Sequence, residues 1–199
     1  YFGADGRMAL CTRSADERQS KLTSVIEDVR IWRDQEGANP AIDLRAMVED
    51  LGGRGKRLGV EYHAYGLTGQ HAKRVDAAFD GFATLVDASD IIRVLRLVKS
   101  PAELVYMRKA GKLADKALGI ANRITVPGQS VGAIYGKMMD VVLSSDGDPS
   151  ASRWPMGGGE DALFVRYHTG HGRVAKTDQV LFEFAASYRH YHAALMNVV

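Results

Sequence analysis

Cysteine is nearly absent from this 199-residue sequence. Cys11 stands alone, so no internal disulfide can form, and in a chain of this length that points to a reducing compartment, the cytoplasm. Long apolar runs are missing too. None approaches the roughly 18 residues that a membrane helix needs, and the opening Tyr1-Phe2-Gly3-Ala4-Asp5 has neither the charged nor the apolar region of a signal peptide. Nor does charge of one sign dominate. Lys plus Arg number 26 against 24 Asp plus Glu, a net charge of +2. The balance is −1 over residues 1–96 and +3 over residues 97–199, so neither half carries a basic footprint for nucleic acid. These absences exclude a disulfide scaffold, a membrane span and a nucleic-acid partner. A starting Met is lacking as well, and Leu195-Met196-Asn197-Val198-Val199 stops within an apolar run, so both ends read as cut. What is present is ordinary: 46% apolar and 25% charged residues, enough for one large domain or two small ones.

The first half alternates short strands with helices. Asp5-Gly6 is a turn signal before Arg7–Thr12, a hairpin strand by its pattern, and Asp28–Trp32 alternates in the same way. Ile42, Leu44, Met47, Val48 and Leu51 recur at helical spacing and Gly52-Gly53 closes that segment. A strand over Arg57–Tyr62, a helix around His71–Phe82 and a strand at Thr84–Asp87 follow. The boundary falls at residues 97–101. There Ser100-Pro101-Ala102-Glu103 combines a capping Ser, a Pro at the first helical position and a Glu three residues after the cap. The helix runs to Val126-Pro127-Gly128, and Ser130 caps a second helix. Ser144–Gly159 reads as a loop and Ala162–His168 as a strand. Val180–Ala186 is apolar on both faces, as a central strand is. The next strand, from about Tyr188 to Val199, puts Tyr188, His190, His192 and Ala194 on one side.

Glu183 stands alone on the Leu181, Glu183, Ala185 face of that apolar strand. A buried carboxylate must find a cation, a donor or a proton, and Arg166, Arg189, His168, His171, His190 and His192 are the nearby candidates. Imidazole is the side chain best placed to exchange protons near neutral pH, so this clustering marks a site. A structural ion pair to an Arg is the competing reading. His190-x-His192 and His168-x-x-His171 fall short of a complete ligand set for zinc. Gly157-Gly158-Gly159 precedes a strand and lacks the Lys-Ser/Thr ending of a phosphate loop. Ser144, Ser145 and Cys11 have no neighbouring base, which argues against covalent catalysis.

Leu97-Val98-Lys99-Ser100-Pro101-Ala102-Glu103-Leu104-Val105-Tyr106-Met107-Arg108-Lys109-Ala110 resembles the signature that opens the C-terminal domain of the Xaa-Pro peptidase, prolidase and creatinase family. Asp178–Tyr191 is similar to that family's G-D-x-V-L-x-D-x-G-x-x-Y-x-G-Y segment, and residues 54–96 to the end of its N-terminal domain. The resemblance implies an α+β chain. A partial creatinase-type N-terminal α/β domain, residues 1–98, would precede the first half of a pita-bread catalytic domain, residues 99–199. In the peptidases two Asp residues of the second segment bind a pair of divalent metals. The corresponding positions here are Glu183 and Ala194, whose methyl group coordinates nothing. That loss is similar to creatinase and ectoine hydrolase, the metal-independent members, so the resemblance implies no cofactor, with manganese or zinc as the alternative. It further implies His168 as the acid/base, His171 as its fallback, and a homodimer acting on a small-molecule substrate. Glu183, by its position, would orient the histidine or hold a substrate nitrogen, with Tyr188 and His192 binding substrate. The expected activity is hydrolysis of a C–N bond in a small nitrogenous solute. The alternatives are a metal-dependent Xaa-Pro dipeptidase or aminopeptidase, and an inactive homologue kept for binding.

Overall fold

Short apolar strands spaced by amphipathic helices can pair in parallel only if each connection crosses over the sheet, and the first half of the chain does this twice. The computed structural model of the protein describes residues 1–164 and 172–199. The chain divides into two compact units, Tyr1–Leu97 and Val98–Val199.

In the first unit β1 (Ala9–Arg13) pairs in parallel with β2 (Asp28–Trp32), the crossover being a 3-10 turn at Ser14–Asp16 and helix α1 (Glu17–Thr23). The hairpin expected at Asp5-Gly6 is therefore corrected. Gly6, at φ 85°, does turn the chain, but the turn joins Phe2 to Met8 through an isolated antiparallel bridge and leaves β1 to pair elsewhere. Helix α2 (Pro40–Asp50) starts where the Asn39 side chain accepts from the Ala41 N–H with Pro40 at the first turn, and it buries Ala41, Met47 and Val48. Strand β3 (Arg57–Val60) and strand β4 (Thr84–Asp87) form a second parallel pair through α3 (Gly69–Phe79), and α4 (Ser89–Leu95) ends the unit. Neither α1 nor α4 was legible by periodicity. Ala9, Met47, Val48, Leu51, Phe79 and Phe82 make the core, with the two phenyl rings edge to face at 5.5 Å between centroids. Tyr62 donates to Asp76, and this bond pushes the phenol pKa up to about 12.

The second unit lays two helices on one face of an antiparallel sheet. Helix α5 (Pro101–Ile124) has the expected capping box, the Glu103 N–H donating to the Ser100 hydroxyl and the Glu103 carboxylate accepting from the Ser100 N–H at 2.7 Å. Ala114, Ala117 and Ala121 on α5 are small enough for close packing, and α6 (Val131–Ser144) adds Val131, Ile134, Met138 and Val142 to the same core. Beneath them lies a sheet in the order β5 (Met156–Gly158), β6 (Val180–Tyr188), β7 (Tyr191–Val198). Phe182 and Val180 are fully buried there, and burying a side chain of this kind contributes about 1.5–3 kcal/mol.

Three expectations are corrected in this unit. Strand β5 lies within the stretch read as loop, while Ala162 and Leu163, read as the start of a strand, close a 3-10 turn over Gly159–Leu163. The glycines explain the exchange: a Cβ on Gly157 would lie 2.5 Å from the Asp161 carbonyl, and Gly159 sits at φ 60°. The last strand begins at Tyr191, because Arg189 and His190 form a two-residue turn at φ 48° and 66° between β6 and β7. Such paired positive angles match the right-handed twist of a hairpin.

Candidate active site on the open face of the hairpin

Strand alternation divides β6 between two environments. Val180, Phe182, Phe184 and Ala186 face the helices, while Leu181, Glu183, Ala185 and Ser187 face the other way. In β7 the register pairs Glu183 with Met196, Ala185 with Ala194 and Ser187 with His192, so these residues share the open face. The segment before β5 extends this surface. The Glu183 N–H donates to the Pro155 carbonyl at 2.9 Å, and Trp154 turns inward against Phe184. The result is a cleft of about 350 Å³ lined by Arg153, Trp154, Pro155, Glu183, Ala185, Ala194 and Met196 among others.

Glu183 is half-buried in this cleft instead of sealed between two apolar layers. The reading of β6 as a strand covered on both faces is corrected accordingly: among the described residues only the helix face is covered by a core. Glu183 has no ion pair among the described residues, so the competing structural reading finds no partner there.

His192 is held at both ring nitrogens. Its Nε2 accepts from the Ala151 N–H at 3.0 Å, and its Nδ1 lies 2.9 Å from the His190 carbonyl. With Nε2 as the acceptor, Nδ1 is placed as the donor to the His190 carbonyl. The Asp148 N–H donates to the Ser187 carbonyl at 2.9 Å and the Asp148 carboxylate accepts from the His190 N–H at 3.1 Å, so residues 148–151 are pinned across the end of the hairpin. Ser187 is fully buried under them and its hydroxyl has no partner among the described residues.

Tyr188 is not brought to this face. It packs on the helix side, where Tyr106 of α5 stacks between Tyr188 and Tyr191 at centroid distances of 5.8 and 5.5 Å, and Lys109 donates to the Tyr188 hydroxyl at 3.1 Å. His190 occupies the turn, so the expected shared strand face of Tyr188, His190, His192 and Ala194 is corrected to His192 and Ala194 alone. His168 and His171 lie outside the described residues, as does Arg166. Arg153 escaped the sequence reading altogether. The signal that finds it is the register, which places Pro155 opposite Glu183 and Arg153 two residues further along the same edge.

A larger cleft, about 450 Å³, lies in the first unit among Trp32, Asp34, Asn39, His71 and Arg74. Its one lining carboxylate, Asp34, is paired with Arg13 at 3.5 Å. Of the two clefts, the hairpin cleft is the one whose carboxylate, Glu183, has no ion pair among the described residues.

Residues 1–98 match the creatinase/prolidase N-terminal domain. The first unit belongs to that domain family. The chain is also 26% identical over 197 residues to an uncharacterized hydrolase/peptidase, y4tM, of Sinorhizobium fredii, covering 94% of this chain and 50% of that one. Its fold superposes on a prolidase from Thermococcus sibiricus (TM-score 0.77, 17% identity, 95% of this chain and 50% of that one). It superposes likewise on a dipeptidase from Pyrococcus horikoshii (TM-score 0.76, 21% identity, 98% and 52%) and on an Xaa-Pro dipeptidase from Bacillus anthracis (TM-score 0.74, 18% identity, 95% and 50%). The chain thus spans about half the length of the relatives it matches, and its α+β architecture is that of the corresponding half of these pita-bread proteins.

These neighbours overturn the expectation that no cofactor is involved, because they are prolidases and aminopeptidases, the metal-dependent branch of the resemblance. The described residues of this chain do not by themselves fit a metal pair. Among them no group of three or more His, Cys, Asp or Glu comes together, Glu183 offers one carboxylate, and Ala194 offers no ligand. Among the described residues no helix is long and apolar enough to cross a membrane.

Proposed function

We propose that the whole protein is a hydrolase of the Xaa-Pro peptidase and creatinase type, cleaving a C–N bond in a small nitrogen-bearing substrate seated on the open face of the hairpin. The observation that carries this reading is Glu183, a half-buried carboxylate with no ion pair among the described residues, standing over the Ala185 and Ala194 methyl groups. Such a group can hold a substrate nitrogen or orient a catalytic base. His168 is the acid/base in this reading, with His171 as its fallback, and His192 fixes the wall of the cleft through Ala151. The identities of Glu183 and Ala194 favour a creatinase or ectoine hydrolase type of substrate. The folds of the neighbours support the second reading, an Xaa-Pro dipeptidase. A homodimer in a reducing compartment belongs to the same proposal.

The experiment is a turnover assay of the full-length protein on creatine, ectoine and glycyl-proline, each with added manganese or zinc and after chelation. Release of product from either solute supports the first reading, and chelator-sensitive cleavage of glycyl-proline alone the second. Absence of turnover on all three sinks both and leaves a binding protein. His168→Ala abolishes turnover while the circular dichroism spectrum is retained; unchanged turnover moves the role to His171.

A further inference from the structure

The hairpin cleft contains a second uncommitted charge of opposite sign. Arg153 lines it, is exposed, and makes no ion pair among the described residues. Its place follows from the register. Met156 pairs with Phe182 and the Glu183 N–H bonds the Pro155 carbonyl, so the edge continues antiparallel past Glu183. Trp154 is buried against Phe184. Alternation then gives Arg153 to the same face as Glu183, displaced along the strand toward Ala185 and its partner Ala194. Diagonal neighbours of this kind have their Cα atoms about 7–8 Å apart. Ala185, Ala194 and Met196 line the cleft with these two charges, and it holds about 350 Å³.

We propose that Arg153 is the specificity residue of this cleft and anchors the carboxylate of a small zwitterionic or amino-acid-like substrate whose nitrogen faces Glu183. A planar guanidinium matches a carboxylate with two parallel N–H donors, which lysine cannot reproduce. The apolar floor selects compact ligands, since each added methylene competes for the same volume. The proposal rests on the functional reading above for the identity of Glu183 as the nitrogen-facing group, and it adds the group that reads the other end of the substrate.

The test compares full-length wild type with Arg153→Gln and Arg153→Lys on creatine, ectoine and glycyl-proline, and on the carboxamide of whichever of these is turned over. Arg153→Gln raises KM for the carboxylate about 10-fold to 100-fold, the range of one lost charge-assisted pair. It changes KM for the carboxamide less than threefold and leaves kcat within threefold for both; Arg153→Lys recovers part of the loss. Equal effects on carboxylate and carboxamide, or none, overturn the proposal. If the protein turns over none of the three substrates, the functional reading fails separately. Titration of Trp154 fluorescence with the same carboxylates then decides the anchor: binding abolished by Arg153→Gln keeps it, and no binding or equal binding overturns it.

Discussion

The two units use their charged side chains differently. In the first, Arg7, Arg13, Lys21, Arg30, Arg54 and Arg93 are each paired with a carboxylate, Arg30 with both Asp28 and Asp50 at 3.0 and 2.7 Å. In the second, the described ion pairs are Lys137 with Asp140 and Arg189 with Asp146, while Arg153 and Glu183 line a cleft without either. Exposed pairs of this kind contribute about 0–1 kcal/mol each, so the first unit gains little stability from its pairing. What the contrast teaches is where charge remains available. The first unit's carboxylate in its own cleft is committed to Arg13, whereas the second unit presents a carboxylate and a guanidinium to solvent over an apolar floor.

The largest effect that sharpens this comparison is on stability. Phe182→Ala empties the centre of the second core and costs about 3–5 kcal/mol, read by chemical denaturation; a loss below 1 kcal/mol would mean that the helices do not rest on β6. Next comes Glu183→Gln, which keeps the shape and removes the charge. It lowers kcat/KM of the full-length enzyme about 10²-fold or more while moving the melting temperature little, since a half-exposed group off the core acts on stability within about 0.5 kcal/mol. A large fall in melting temperature would make Glu183 structural and erase the difference between the units.

Smaller effects belong to the helix starts. Asn39→Ala in the first unit and Ser100→Ala in the second each cost about 1 kcal/mol. The second carries a pH signature. The Ser100 N–H, and then its hydroxyl, hold the Glu103 carboxyl below its ordinary value. A carboxyl lowered in the folded state contributes stability that is fully present above its unfolded pKa and is lost as pH falls through its folded one. Thermal melts in acid therefore separate wild type from Glu103→Gln, whose stability lacks this contribution; parallel melting curves at all pH values would contradict it. The smallest effect is Ser187→Ala. Its hydroxyl is buried without a partner among the described residues, so removing it is neutral or stabilises by up to about 1 kcal/mol. A loss of 2 kcal/mol would show that the hydroxyl is bonded after all, within the segment that His192 pins.

The parts of the fold that were legible share a length scale. The capping box at Ser100 and Glu103, the helix start at Ser130, and the inward and outward residues of β6 each depend on neighbours two to four positions away, and each agrees with the structure. The turn at Arg189-His190 was not, because both residues sit at positive φ without the Gly or Asn that ordinarily marks such a turn. Strand β5 was missed because three residues have no periodicity; pairing with Val180–Phe182 makes them a strand. Glu183 was singled out by its isolation among apolar residues, yet its surroundings were misjudged. A pattern apolar on both faces states that both faces prefer burial, and the described residues cover only one.

Local chemistry thus determined, from the sequence alone, where α5 and α6 begin, which residues of β6 share a face, and that Glu183 is the anomalous one. Tertiary structure decided which strands pair, that Tyr188 belongs with Tyr106 and not with Glu183, and that residues 148–155 fold across the hairpin to place Arg153 and His192 on its open face. The physical reason is that capping and alternation are set by bonds within a single turn or strand. Register is set by contacts between segments more than 25 residues apart, as Pro155 and Glu183 are, and no local pattern encodes them.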